Sequence, residues 1–202
     1  MPLWLASDPL VVASRSAARR AMLEAAGIPL VIHPADVDER ALEARNPTAT
    51  ASEVALMLAR EKARAVASRF PGHFVLGADQ TLVLGSRRFT KPADVAAARE
   101  QLRALSGRTH ELHSAVVVIR DGRALFSHSD VARMTVRSLS ERFIANYIEA
   151  AGAAVTASVG AYQLEALGVH LFERVDGDHF TVLGLPLLPL LAFLRRERCL
   201  DS

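Results

Sequence analysis

A single cysteine, Cys199, occurs among 202 residues. That excludes a disulfide framework and any cysteine-based zinc site, and it suits a reducing compartment. Long apolar runs are missing too. The longest, Val182 to Leu194, is interrupted by Gly184, Pro186 and Pro189, so no segment spans a bilayer. Met1 to Leu5 is too short, and lacks the basic start, for a signal peptide. The expectation is a cytoplasmic protein with no membrane partner. Excess charge of one sign is absent: the net charge is +2, and the arginines are spread along the chain without a basic block. Nothing in that balance demands a nucleic-acid partner. Internal repeats, low-complexity tracts and linkers are absent. So are a Walker-type phosphate loop, a Gly-x-Ser-x-Gly elbow and a His-Glu-x-x-His pair. His110 and His113 stand three apart in a strand-like stretch, which points them to opposite faces.

What remains is a globular chain, half of it hydrophobic and 23% charged, long enough for one large core. The reading is a single domain over residues 1–202. It is organised around Val75 to His110. Phe74 to Leu76 and Leu82 to Leu84 read as buried strand segments, with Asp79 at the end of the first. Gly77-Ala78 implies a close backbone approach. Gly85 to Arg88 form a turn before Lys91-Pro92. Asp94 caps a helix with Val95, Ala98, Leu102 and Leu105 on its apolar face, ended by Ser106-Gly107.

Before this stretch, Pro9 to Ala13 predicts a strand, Ala17 to Ala26 a helix stopped by Gly27, and Ile28 to His33 a second strand. Asp36 to Glu39 reads as an acidic loop. Thr50-Ala51-Ser52 starts an amphipathic helix with Val54, Leu58, Ala65 and Val66 on one face. After it, Asp121-Gly122 marks a hairpin between Glu111–Ile119 and Ala124–Val136. Ser140-Glu141 opens another helix, Val169 to Val175 suggests a strand, and Pro186 introduces a last helix over Leu187 to Arg196. Strands and helices alternate and antiparallel strands follow, so the fold class is α/β with a mixed sheet.

Candidate chemistry sits at the ends of these elements. Ser14-Arg15-Ser16 with Arg19 lies at a strand-to-helix junction, where helix N–H groups attract anions and an arginine makes bidentate phosphate contacts. Read alone, the same residues are an N-cap serine and surface arginines. Asp79 is a lone carboxylate after a strand, equally at home in a turn. Lys91, Lys62 and Glu39, taken singly, read as solvated charges.

Taken in order, the pieces resemble the Maf family of nucleoside triphosphate pyrophosphatases, from about Pro9 to Arg196. The family opening Ala-Ser-x-Ser-Pro-x-Arg-x-x-Leu-Leu is matched by Ala13-Ser14-Arg15-Ser16-Ala17-Ala18-Arg19-Arg20-Ala21-Met22-Leu23. Asp36-Val37-Asp38-Glu39, Ala59-Arg60-Glu61-Lys62-Ala63, Gly77-Ala78-Asp79-Gln80, Lys91-Pro92, Ser106-Gly107-Arg108-Thr109-His110 and Gly184-Leu185-Pro186-Leu187 follow collinearly. Each motif is weak; the ordered set is specific.

The resemblance implies a long twisted mixed β-sheet flanked by helices, with two lobes around a central cleft. It implies hydrolysis of a nucleoside triphosphate to monophosphate and pyrophosphate with Mg²⁺ or Mn²⁺. By position, Glu39 and Asp79 are the essential, metal-holding carboxylates, with Asp79 as general base or water-placing group. Lys91 joins them as catalytic, and Ser14, Arg19 and Lys62 hold the polyphosphate. Gln80 and Glu165, in Ala161-Tyr162-Gln163-Leu164-Glu165, match the branch acting on 7-methyl-GTP. A carboxylate accepts two parallel hydrogen bonds from guanine's pairing edge, and N7 methylation strengthens them. The pyrimidine branch carries glutamine at that place, so dTTP or UTP is the alternative. Ala17 and Ala18 depart from the family pattern: the proline is replaced, and neither the arginine nor the tryptophan of the branches is present. The likeness also extends to a septum-formation inhibitor, which makes a non-catalytic nucleotide-binding regulator the rival class. A homodimer is compatible with it.

Overall fold

A computed structural model of the chain describes residues 3–201, so the first two residues of the Met1–Leu5 stretch lie outside the described part. It contains a seven-stranded mixed sheet flanked by helices. The strands are β1 (Leu10–Val12), β2 (Leu30–Ile32), β3 (Val75–Leu84), β4 (Arg87–Phe89), β5 (Thr109–Arg120), β6 (Arg123–Val136) and β7 (Phe172–Asp176). Their order is β2-β1-β3-β5-β6-β7, with β4 paired to β3. β1 runs parallel to β2 and β3, while β4 is antiparallel to β3 and β7 to β6. The helices are α1 (Ala17–Ala25), α2 (Glu39–Ala44), α3 (Ala51–Ala67), α4 (Val95–Leu105), α5 (Glu141–Ala151), α6 (Ala154–Ala157), α7 (His179–Val182) and α8 (Leu187–Arg196). No helix among the described residues is long and apolar enough to cross a membrane.

The chain divides into two compact units. Unit 1 comprises residues 1–80, 114–130 and 184–202. Its core packs Val11, Val75, Val117 and Ile119 against a face of α3 built from Ala55, Ala59, Ala63 and Val66. Small side chains on α3 permit close approach, and Gly77 takes it to the limit. A Cβ there would stand 2.0 Å from the Ala59 carbonyl oxygen and 2.7 Å from the Ala63 nitrogen. The close approach expected at Gly77 is therefore to the α3 backbone. Unit 2 comprises residues 81–113 and 131–183. Larger side chains fill its core, among them Leu82, Leu102, Leu105, Met134, Ile144, Tyr147, Tyr162 and Leu171.

Local signals decide most boundaries. The N-cap side chains of Ser16, Thr50, Asp94 and Ser140 each accept a backbone N–H at the start of α1, α3, α4 and α5. Thr50 and Glu53 form a full capping box. Asp121 (φ 46°) and Gly122 (φ 76°) make the left-handed two-residue turn between β5 and β6.

Some expectations fail, for physical reasons. β3 is one ten-residue strand, so Asp79 lies in its middle and not at an end. The acidic loop ends in a helix: Asp38 accepts the Ala41 N–H at 2.9 Å, which makes Glu39 the first residue of α2. Ala65 and Val95 are exposed, and Ala59, Ala63 and Gln101 are buried in the helices that carry them. The expected strand from Val169 begins only at Phe172, because Leu167–Leu171 winds as a 3-10 helix.

Candidate active site

Three side chains of unit 1 from distant parts of the sequence converge. α3 presents Lys62, β3 presents Asp79, and α2 presents Glu39 from its first turn. The Lys62 ammonium donates to Asp79 Oδ1 at 2.5 Å and lies 2.7 Å from Glu39 Oε1. Asp79 is buried and Glu39 half-exposed, so the pair of carboxylates grades from core to solvent. Burial pushes the Asp79 carboxyl above the ordinary carboxylate range, and nearby Lys62 and Arg19 only partly offset that.

Arg19, in the first turn of α1, is a second buried cation. Its Nε donates to the Gly184 carbonyl at 2.7 Å, and its Nη1 to the Ala78 carbonyl at 2.9 Å and to Ser14 Oγ at 3.2 Å. Burial lowers its affinity for the proton, while Asp79 and Glu39 oppose that effect. Ser14 Oγ also accepts the Ser16 N–H at 3.2 Å, at the mouth of α1. Gly184 (φ 93°) leaves room for the guanidinium: a Cβ there would lie 3.3 Å from Arg19 Nη2. Gln80, next along β3, donates from Nε2 to Ser114 Oγ at 2.9 Å.

The structure thus gathers Glu39, Lys62 and Asp79 into one ion cluster and joins Ser14 to Arg19. Lys91 and Glu165 belong to unit 2, where both are exposed. Lys91 follows β4. Glu165 lies in the turn closed by Ala166 N–H to the Gln163 carbonyl at 3.2 Å. A signal left unused in the sequence points to the same places: of 24 cationic side chains only Lys62 and Lys91 are lysines. Lysine is a compact point charge that suits a phosphate or a carboxylate pair.

Unit 2 also holds a buried polar network that local sequence patterns did not single out. His110 Nε2 lies 2.6 Å from the Tyr162 hydroxyl, and His110 Nδ1 has no hydrogen-bond partner among the described residues. Tyr147 donates to the Ala161 carbonyl at 3.2 Å. Gln101 donates to the Thr90 carbonyl at 2.7 Å and accepts the Gly160 N–H at 3.0 Å.

The donor set can be tested against a divalent cation. No group of three or more His, Cys, Asp or Glu side chains forms an all-protein cage among the described residues. Two carboxylates aimed at one cationic nitrogen do fit the oxygen-rich sites of Mg²⁺, which uses one or two carboxylates and completes its shell with water and phosphate. The Lys62 ammonium lies between the two carboxylates.

An α/β scaffold that draws two carboxylates and two cations into one unit is suited to a polyphosphate carrying a metal. The chain belongs to the Maf family: the Maf-like protein family matches residues 9–197. It is 57% identical over 98% of each chain to a nucleoside triphosphate pyrophosphatase of Nitrobacter winogradskyi. A 7-methyl-GTP pyrophosphatase of Brucella abortus is 53% identical over 96% of this chain and 98% of its own. Among solved structures, a HAM1 protein from Coxiella burnetii matches with a TM-score of 0.42 and 19% identity, covering 63% of this chain and 72% of that one.

Proposed function

We propose that this protein hydrolyses a nucleoside triphosphate to its monophosphate and pyrophosphate, with 7-methyl-GTP preferred. The observation that carries the reading is the Lys62 ammonium held between Asp79 and Glu39, with buried Arg19 beside them. The relatives' names support the same reaction class.

Glu39 and Asp79 would hold the divalent cation. When bound, Mg²⁺ or Mn²⁺ supplies charge neutralisation at the phosphate oxygens. Asp79 orients a water and takes its proton. The water oxygen bonds to the α-phosphorus as the α–β anhydride bond breaks, and the electrons of the broken bond go to the leaving pyrophosphate. Arg19 and Lys62, with Ser14, neutralise charge on the phosphates, and Lys91 serves as a further catalytic cation. Gln80 and Glu165 contribute to substrate binding, and Glu165 faces the base's hydrogen-bond donors.

A nucleotide panel with pyrophosphate detection tests this. The expected result is release from 7-methyl-GTP above dTTP and UTP, with Glu165→Gln shifting preference toward the pyrimidines. Nucleotide binding without any pyrophosphate release would favour the regulator instead.

A further inference from the structure

We propose that Gln101 is a positioning residue that sets nucleotide choice by locking two loops of unit 2 together. One loop carries Lys91 and the other leads into Glu165. The proposal rests on the reading of both as nucleotide-binding residues.

Gln101 lies in α4 and is buried. A helix that only had to fill the core would carry an apolar side chain there, as Ala98, Leu102 and Leu105 do. The amide instead uses both its ends on backbone of other segments. Its Nε2 donates to the carbonyl of Thr90, the residue before Lys91. Its Oε1 accepts from Gly160, which opens the run Gly160-Ala161-Tyr162-Gln163-Leu164-Glu165. One side chain, held by hydrogen bonds at both ends of its amide, therefore ties the two backbones together.

The second loop is built to keep a strained shape. Gly160 has φ 79°, and a Cβ there would stand 2.6 Å from the Tyr162 ring and 2.7 Å from Leu82. Ala161, though not glycine, has φ 62°. Such backbone persists only where its surroundings over-determine it. Here the surroundings are Gln101 on Gly160, Tyr147 on Ala161 and His110 on Tyr162. Downstream, Gly168 packs so tightly that a Cβ would sit 2.3 Å from the Gln163 carbonyl oxygen. Glu165 is an exposed carboxylate on a fixed base. Gln101 links that base to the loop that carries Lys91.

Two substitutions separate the bonds. Gln101→Leu removes both. Gln101→Glu keeps an acceptor for Gly160 N–H and replaces the donor to Thr90 with a carboxylate that repels its carbonyl. Steady-state kcat and KM for 7-methyl-GTP and UTP are measured by pyrophosphate release, with the folded fraction read from thermal melts. Gln101→Leu is expected to narrow the kcat/KM ratio between the two nucleotides on the order of tenfold, since misplaced polar contacts cost discrimination. Gln101→Glu, which breaks the link only at Thr90, should narrow that ratio less and raise KM for both nucleotides. A ratio unchanged in Gln101→Leu, with rates falling only as the folded fraction falls, would overturn the proposal and leave the enzymatic reading intact. If Gln101→Leu fails to fold, an unchanged KM in Gln101→Glu would overturn it. A wild-type protein that turns over both nucleotides equally removes the proposal; one that releases no pyrophosphate removes the enzymatic reading as well.

Discussion

The two units differ in the most buried polar groups they hold. Unit 1 places charges in its interior: Asp79 and Arg19 are buried, and Lys62 is mostly covered. Unit 2 buries neutral groups, with His110 against Tyr162 and Gln101 between two backbones. Buried charges are costly unless paired, and each partner can be exchanged for another of the same sign. A neutral hydrogen-bonded network offers little to exchange and mainly holds shape. The ion cluster is suited to reaction, and the neutral network to fixing geometry.

The sharpest test of that contrast is Asp79→Asn. Loss of the carboxylate should lower kcat by about 10²–10⁴-fold. Pyrophosphate release measures it, and circular dichroism should show the fold kept. Retained turnover would remove the distinction between the units.

A second test is acid stability in unit 2. Burial lowers the His110 pKa from 6.5 to about 4. As pH falls below 6.5 the unfolded chain takes up this proton before the folded one does. Stability present above pH 6.5 is therefore lost between pH 6.5 and about 4, up to about 3 kcal/mol. His110→Gln should flatten this part of the pH dependence in urea melts at pH 7 and pH 5. A slope identical to wild type would place the loss elsewhere.

Tyr162→Phe leaves His110 Nε2 without its partner and should cost about 1–3 kcal/mol, read as a lowered melting temperature. The smallest effect runs in an unexpected direction. Lys62→Met removes the ammonium from between Glu39 and Asp79, so nucleotide-free protein should bind Mn²⁺ more tightly, on the order of tenfold, while turnover falls. Calorimetry or electron paramagnetic resonance of Mn²⁺ reads the binding directly. Weaker binding would mean that the lysine does not compete with metal for the carboxylates.

Much of the scaffold is legible locally. Ser16, Asp94 and Ser140 mark helix starts, Asp121-Gly122 marks the hairpin, and Pro186 marks α8. The ordered motifs led to Ser14, Arg19, Glu39, Lys62 and Asp79, which lie together in unit 1. The misreadings share a cause. A carboxylate interrupts the apolar run of β3, so the strand reads as ending at Asp79. Its compensation comes from Lys62 on a neighbouring helix, which hydropathy along the strand does not register. Glu39 follows a capping aspartate, and a run of charges hides that cap in the sequence. Gln101 gave no signal, because its partners are backbone groups at Thr90 and Gly160, far apart in sequence.

The reach of the Lys62 ammonium is governed by a residue with no side chain. Gly77 lets α3 settle onto β3, with Ala59 and Ala63 flanking the contact and Lys62 one position before Ala63. One added methyl group would lift the helix and carry the ammonium away from Asp79, so a purely steric change would surface as a rearranged electric field.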